Sequence, residues 1–124
     1  MLVRIGSCRH PKFHKQYSMN PPDIIIRYFN AANAGNIDEA CDCFASDAAV
    51  SDEGQTHEGN QSIRTWIDST TKKYHPQVEM LRIGKKDTIL CVTGLVSGDF
   101  PGSPAELDYQ FTLQNNTISN LSIG

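Results

Sequence analysis

Two side chains in this sequence are suited by type and setting to move a proton on carbon: the phenol of Tyr28 and the carboxylate of Asp52. A carboxylate in a dry pocket is more basic than in water, and a nearby phenol can hold a developing oxyanion by a preorganised hydrogen bond. Both belong to one stretch, Ile24 to Asp52, which reads as a long helix, a glycine break, a short helix and a strand that ends on a carboxylate. Ile25, Tyr28, Phe29 and Ala32 recur at helical spacing, which puts Tyr28 on the buried face. Ala48, Val50 and Asp52 share one face of the strand. A carboxylate there is costly unless it is paired or borders a cavity. Two readings follow: a general base in a pocket, or a strand-end Asp bonded to backbone or to Arg64. Tyr28 is open in the same way, as an oxyanion donor or as a core tyrosine with its hydroxyl tied to a partner.

Further along, Leu107, Tyr109, Phe111 and Leu113 alternate with Glu106, Asp108, Gln110 and Thr112. If Phe111 lines a pocket, Tyr109 lines it too and can act as a second phenol donor, while Asp108 falls on the opposite, polar face. Trp66 is expected to line or floor the cavity. His57, on a strand returning from Asp52, could contact a substrate or relay a proton near neutral pH. No His or carboxylate spacing suits a metal, so none is expected. The proton chemistry needs no cofactor.

Asn20-Pro21-Pro22-Asp23 marks a helix start, with Asn20 as cap and prolines in the first turn. Gly35 ends that helix, and Asn36 with Glu39 opens the next as a capping box. A strand over Ala48 to Asp52 turns at Gly54, and Gln55 to Glu58 pair back. Asn60 caps a third helix, with Ile63, Trp66, Ile67, Thr70 and Tyr74 on one side, stopped by His75-Pro76. Four strands follow: Gln77 to Lys85, Thr88 to Ser97, Ala105 to Leu113 and Thr117 to Ile123. The loop 100–104 separates the middle two, and Gln114-Asn115-Asn116 turns the last hairpin. Helices early and antiparallel strands late imply an α+β domain whose helices pack on one face of a curved sheet, with a concave pocket between.

The 124 residues suit one domain, with a net charge of −3 and no basic stripe, so nucleic-acid binding is disfavoured. No apolar run approaches a membrane span. Residues 1–18 are basic and aperiodic and are expected to be a flexible or loosely docked leader. The domain then covers 19–124, with Met19 its first residue or the natural initiator. Cys8, Cys41, Cys43 and Cys91 match no zinc spacing. They are expected to be free thiols in a cytoplasmic protein, with Cys41 or Cys91 as small core residues.

Arg27-Tyr28, Asn33-Ala34-Gly35, Phe44-Ala45, Asp47-Ala48, Val50 and Asp52 resemble the N-terminal half of ketosteroid isomerase. Asp52-Glu53-Gly54, His57-Glu58-Gly59, Ser62 to Trp66 and Gly98 to Pro104 resemble uncharacterised SnoaL-like proteins. From Pro22 to Ile123 the chain is therefore similar to the NTF2-like superfamily, which includes polyketide cyclases of the SnoaL type. The resemblance implies a cone-shaped α+β fold, with three helices on the concave face of a curved antiparallel sheet. It also implies a homodimer through the outer sheet face and a small apolar molecule in the cone. The positions of Tyr28 and Asp52 imply an oxygen-binding phenol and a proton-shuttling carboxylate. The resemblance leaves cofactor-independent isomerisation, cyclisation or dehydration of a carbonyl compound open, beside ligand binding without catalysis.

Overall fold

The computed structural model describes residues 20–124. The expected leader, 1–18, and Met19 as the domain's first residue lie outside them. Nine elements follow in order: α1 (Asp23–Asn33), α2 (Ile37–Asp42), β1 (Phe44–Asp52), β2 (Gln55–Glu58), α3 (Asn60–Tyr74), β3 (Gln77–Lys86), β4 (Ile89–Ser97), β5 (Ala105–Gln114) and β6 (Thr117–Ile123). The strands form one curved, unclosed sheet in the order β2-β1-β6-β5-β4-β3. α3 packs on β1 and β2, and α1 reaches β3 at the other edge.

The sheet is mixed rather than wholly antiparallel, because β1 runs parallel to β6, with Val50 opposite Leu121. A chain that leaves β1, traverses β2, α3 and three more strands, and returns beside β1 can arrive in either sense, and alternation within a strand says nothing about which. The other pairings are antiparallel.

Local chemistry explains most of the boundaries. The Asn36 side chain accepts a hydrogen bond from the Glu39 backbone N–H at 3.2 Å, as a helix cap should. The Glu39 carboxylate does not reach back; it pairs with Arg27. α1 begins one residue after Pro22, whose carbonyl accepts from Ile25 and Ile26, so Asn20 stands outside the helix instead of capping it. Asn60 is likewise the first helical residue, preceded by Gly59 at φ +85°, and its side-chain oxygen lies 3.2 Å from the Cys41 thiol. Asn115 and Asn116, at φ +54° and +61°, make the two-residue turn between β5 and β6.

The core joins Ile25 and Phe29 of α1, Ile63 and Ile67 of α3, and the inward strand residues Val50, Val92, Leu107, Phe111 and Leu121. β5 is buried on both faces over part of its length. Asp108 faces away from Tyr109, as alternation requires, yet is 1% exposed and accepts a hydrogen bond from Thr93 Oγ1 at 3.1 Å. Its side of the strand is therefore not a solvent face. Cys91 is disulfide-bonded, which overturns the expectation of a free thiol there. Cysteine spacing along the chain does not reveal which sulfurs a fold brings together. Cys41 and Cys43 are free and buried. Burial pushes the Cys43 thiol up to about 11 and the Cys41 thiol in the same direction, so both stay protonated at neutral pH.

Candidate functional site

Alternation along β1 turns Asp52 inward with Ala48 and Val50, at the very end of the strand. Glu53 and Gly54, both at positive φ, then reverse the chain into β2. Asp52 is thus a strand-end carboxylate that remains 6% exposed. Its Oδ2 accepts a hydrogen bond from the Trp66 indole N–H at 3.1 Å. The backbone N–H of Glu53 also donates to it. Burial raises the Asp52 pKa above the ordinary carboxylate value, against the Trp66 hydrogen bond; the Glu53 charge adds to the rise, and His57 and the Glu53 backbone oppose it. Arg64 plays no part, since it pairs with Asp38 at 2.7 Å.

Asp52 forms part of the wall of a cavity of about 60 Å³. Helix α1 contributes Tyr28, Phe29, Ala32 and Asn33, which follow one helical face. Helix α3 contributes Trp66, Thr70 and Tyr74 at spacings of four. The sheet adds Val78, Val96, Tyr109 and Ile123, and the loop after β4 adds Phe100. Gly94 on β4 makes room for this arrangement. A Cβ there would meet Val78 Cγ1 at 2.8 Å and the Tyr109 ring at 3.3 Å.

The two phenols differ from the other polar groups of the wall. Asn33 is committed: its amide brackets Val78, donating to the carbonyl at 2.9 Å and accepting from the N–H at 2.8 Å. Thr70 donates to the Trp66 carbonyl, and Tyr74 donates to Glu53. Tyr28 and Tyr109 make no hydrogen bond among the described residues, although each is 5% exposed. No described side-chain oxygen or nitrogen is both sealed off and unpaired. The two hydroxyls therefore keep access to open space, and the cavity is the space they line. Burial raises both phenol pKa values. The Tyr109 and Asp52 charges push Tyr28 further, and Asp52 pushes Tyr109. Both remain protonated donors at neutral pH.

Of the residues expected at the site, Asp52, Tyr28, Tyr109 and Trp66 share this cavity. Phe111 lies behind its wall, fully buried, with ring contacts to Tyr28, Phe29 and Tyr109. His57 lies on the other side of Trp66, its ring stacked on the indole at 6.1 Å. There it lines a separate, more open hollow with Glu53, Thr65 and Lys73 that also touches Asp52. Sequence reasoning missed Phe29, Asn33, Val78 and Phe100. Asn33 could have been found one turn beyond Phe29, which sits beside Tyr28 on the inner side of α1. Phe100 sits in an irregular loop, where periodicity carries no signal. Among the described residues, no group of three or more His, Cys, Asp or Glu side chains could hold a metal ion. No described helix is long and apolar enough to cross a membrane.

Residues 25–114 match the model of the SnoaL-like domain, and the chain belongs to that family. Among solved structures, it is similar to a candidate polyketide cyclase, protein SMa1630, from Sinorhizobium meliloti. The two are 37% identical, with 86% of this chain and 98% of that one covered and a TM-score of 0.82. A protein with a ketosteroid isomerase-like fold from Catenulispora acidiphila, solved with trimethylamine, is 17% identical over 85% of this chain and 86% of its own, with a TM-score of 0.74. The epoxide hydrolase/cyclase-like enzyme SalBIII, of salinomycin pyran-ring formation, is 18% identical over 82% and 86%, with a TM-score of 0.72. The last two likenesses concern the fold alone. No curated protein matches the chain.

Proposed function

We propose that this protein is a cofactor-independent acid–base enzyme, an isomerase, cyclase or dehydratase acting on a small apolar carbonyl compound. One observation carries the reading: a buried carboxylate and two hydroxyls without hydrogen-bond partners among the described residues line the same apolar cavity. The Asp52 carboxylate takes a proton from the carbon beside the carbonyl. The electron pair of that C–H bond moves into the enolate, and the negative charge collects on oxygen. Tyr28 and Tyr109 donate hydrogen bonds to that oxygen. Trp66 holds Asp52 Oδ2, which fixes the carboxylate's orientation. Ring closure, proton return to a neighbouring carbon, or loss of a β-leaving group then depends on the substrate. The 37% identity to a candidate polyketide cyclase supports cyclisation among these.

The second reading, a pocket that binds an apolar ligand without catalysis, predicts Asp52 locked in an ion pair. Among the described residues, the hydrogen-bond partners of Asp52 are an indole and a backbone N–H, and Arg64 is engaged elsewhere, which favours the first reading. The homodimer through the outer sheet face is likewise proposed, and sedimentation equilibrium tests it.

The test of the reading compares wild type, Tyr28→Phe, Tyr109→Phe and the double variant in isomerising small β,γ-unsaturated ketones. Removing one oxyanion donor typically costs about 10²–10³ in rate. Each single variant is expected to slow the reaction and the double variant to slow it more. A double variant as fast as wild type contradicts the assignment.

A further inference from the structure

Among the described residues, the cavity wall carries one negative charge and no positive one: none of those lining it is Lys, Arg or His, and Asp52 is the only ionisable carboxylate. The rest of the wall is unusually aromatic: Tyr28, Phe29, Trp66, Tyr74, Phe100 and Tyr109 all contribute. These rings come from α1, α3, β5 and the loop after β4, so they approach the space from several sides. Edge-to-face contacts lock several of them, with Tyr28 against Phe29 at 5.2 Å, Phe29 against Tyr109 at 5.1 Å and Tyr74 against Phe100 at 6.0 Å.

A rigid set of aromatic rings around a desolvated carboxylate is complementary to a particular chemistry. Ring faces attract a cation most strongly when water is excluded, and bulky alkylated ammonium ions lose little hydration on entering such a space. On its cavity side Asp52 meets no described cation, since His57 and Lys73 lie toward the outer hollow, and a buried carboxylate gains from a ligand that supplies a counter-charge. The nearest arginine of α3, Arg64, is held by Asp38, and Lys72 by Asp68. Lys73 Nζ lies 5.1 Å from the centre of the Tyr74 ring and lines the outer hollow, not the cavity.

We infer that the cavity selects small ligands bearing an alkylated ammonium group, which the aromatic rings surround and Asp52 neutralises. The same charge balance disfavours carboxylates and phosphates. The inference concerns ligand binding alone and is separate from the proposed reaction: an ammonium ion paired with Asp52 occupies the base, so it binds in place of a ketone.

Trp66 is the only tryptophan of the chain and lines the cavity, so its emission reports occupancy without any turnover. The experiment titrates the protein with tetramethylammonium chloride at constant ionic strength, and in parallel with tert-butanol, a neutral molecule of similar shape. A saturable change in Trp66 emission is expected with tetramethylammonium, at an affinity at least about tenfold above tert-butanol. Asp52→Asn and Phe100→Leu, the second a rim change that spares the carboxylate, are each expected to weaken it severalfold. Three results overturn the inference: no saturable change with tetramethylammonium, equal affinity for the two probes, or undiminished affinity in both variants. Any of them leaves the acid–base reading intact, because that reading is decided by reaction rates of ketones.

Discussion

Trp66→Phe separates the indole's hydrogen bond from its bulk. The phenyl ring keeps an aromatic surface between the cavity and His57, which stacks on Trp66 from the outer side. What disappears is the N–H that lies 3.1 Å from Asp52 Oδ2. A hydrogen bond to a charged group contributes about 1.5–3 kcal/mol. The bond favours the carboxylate over the acid, so its loss makes Asp52 at least about tenfold weaker as an acid, since 1.36 kcal/mol corresponds to one unit of pKa. The Asp52 pKa, already raised by burial, rises further. The assay is a carboxyl carbon titration by NMR, with the Asp52 signal assigned by its absence in Asp52→Asn. In kinetics, the acid limb of the rate profile moves to higher pH with Asp52, while the plateau above it changes less. An Asp52 that titrates at an unchanged or lower pH in Trp66→Phe refutes the reasoning. That outcome means the indole acts by excluding water, and that water filling its place restores solvation to the carboxylate.

Further perturbations follow from the same geometry. Because the folded state raises the Asp52 pKa, its carboxylate opposes folding above that pKa, and the penalty disappears below the unfolded value near 3.9. Asp52→Asn should therefore raise the urea midpoint at pH 7 and leave it unchanged near pH 3; a loss of stability at pH 7 contradicts the sign. Phe111→Ala should cost about 3–5 kcal/mol in denaturant unfolding, as expected for a core ring behind the cavity wall rather than one reserved for ligand contact. Gly98→Ala places a Cβ 2.5 Å from the Tyr74 carbonyl oxygen, in the seam where Asp99 N–H also bonds that oxygen. A loss of about 1–3 kcal/mol is expected by thermal unfolding. Asn33→Ala removes both hydrogen bonds that bracket Val78 on the edge strand and should cost about 1–3 kcal/mol, with faster amide exchange at Val78 as the specific readout.

The parts of the fold written in local chemistry were legible in the sequence. Asn36 before Glu39, Gly35 after α1 and the Asn115-Asn116 turn each meet a backbone requirement that few residues satisfy, and each stands where its type predicts. Alternation put Asp52 inward and Tyr109 opposite Asp108, which the structure reproduces. What alternation could not give is what lies beyond a strand's own faces. It cannot tell that Asp108 is buried against Thr93, that β1 joins β6 in parallel, or that Cys91 is bonded to another sulfur. The strand β1 begins at Phe44, earlier than its hydrophobic pattern suggests, because Ser46 and Asp47 are exposed ahead of the register shift before Ala49. The Trp66–Asp52 bond is of the same kind. Helical spacing put Trp66 on the inner side of α3, but only the packing of α3 on β1 brings its indole to the carboxylate.

The central claim is that Asp52 removes a proton from carbon inside this cavity. Its most direct measurement is the exchange of α-hydrogens of small enolisable ketones in D2O, followed by proton NMR, with wild type against Asp52→Asn. General-base catalysis by a positioned side chain typically contributes about 10²–10⁴ in rate. Exchange is expected to be catalysed by wild type and to fall by that order in the variant, which retains an acceptor for the Trp66 N–H. Equal exchange rates for the two proteins contradict it.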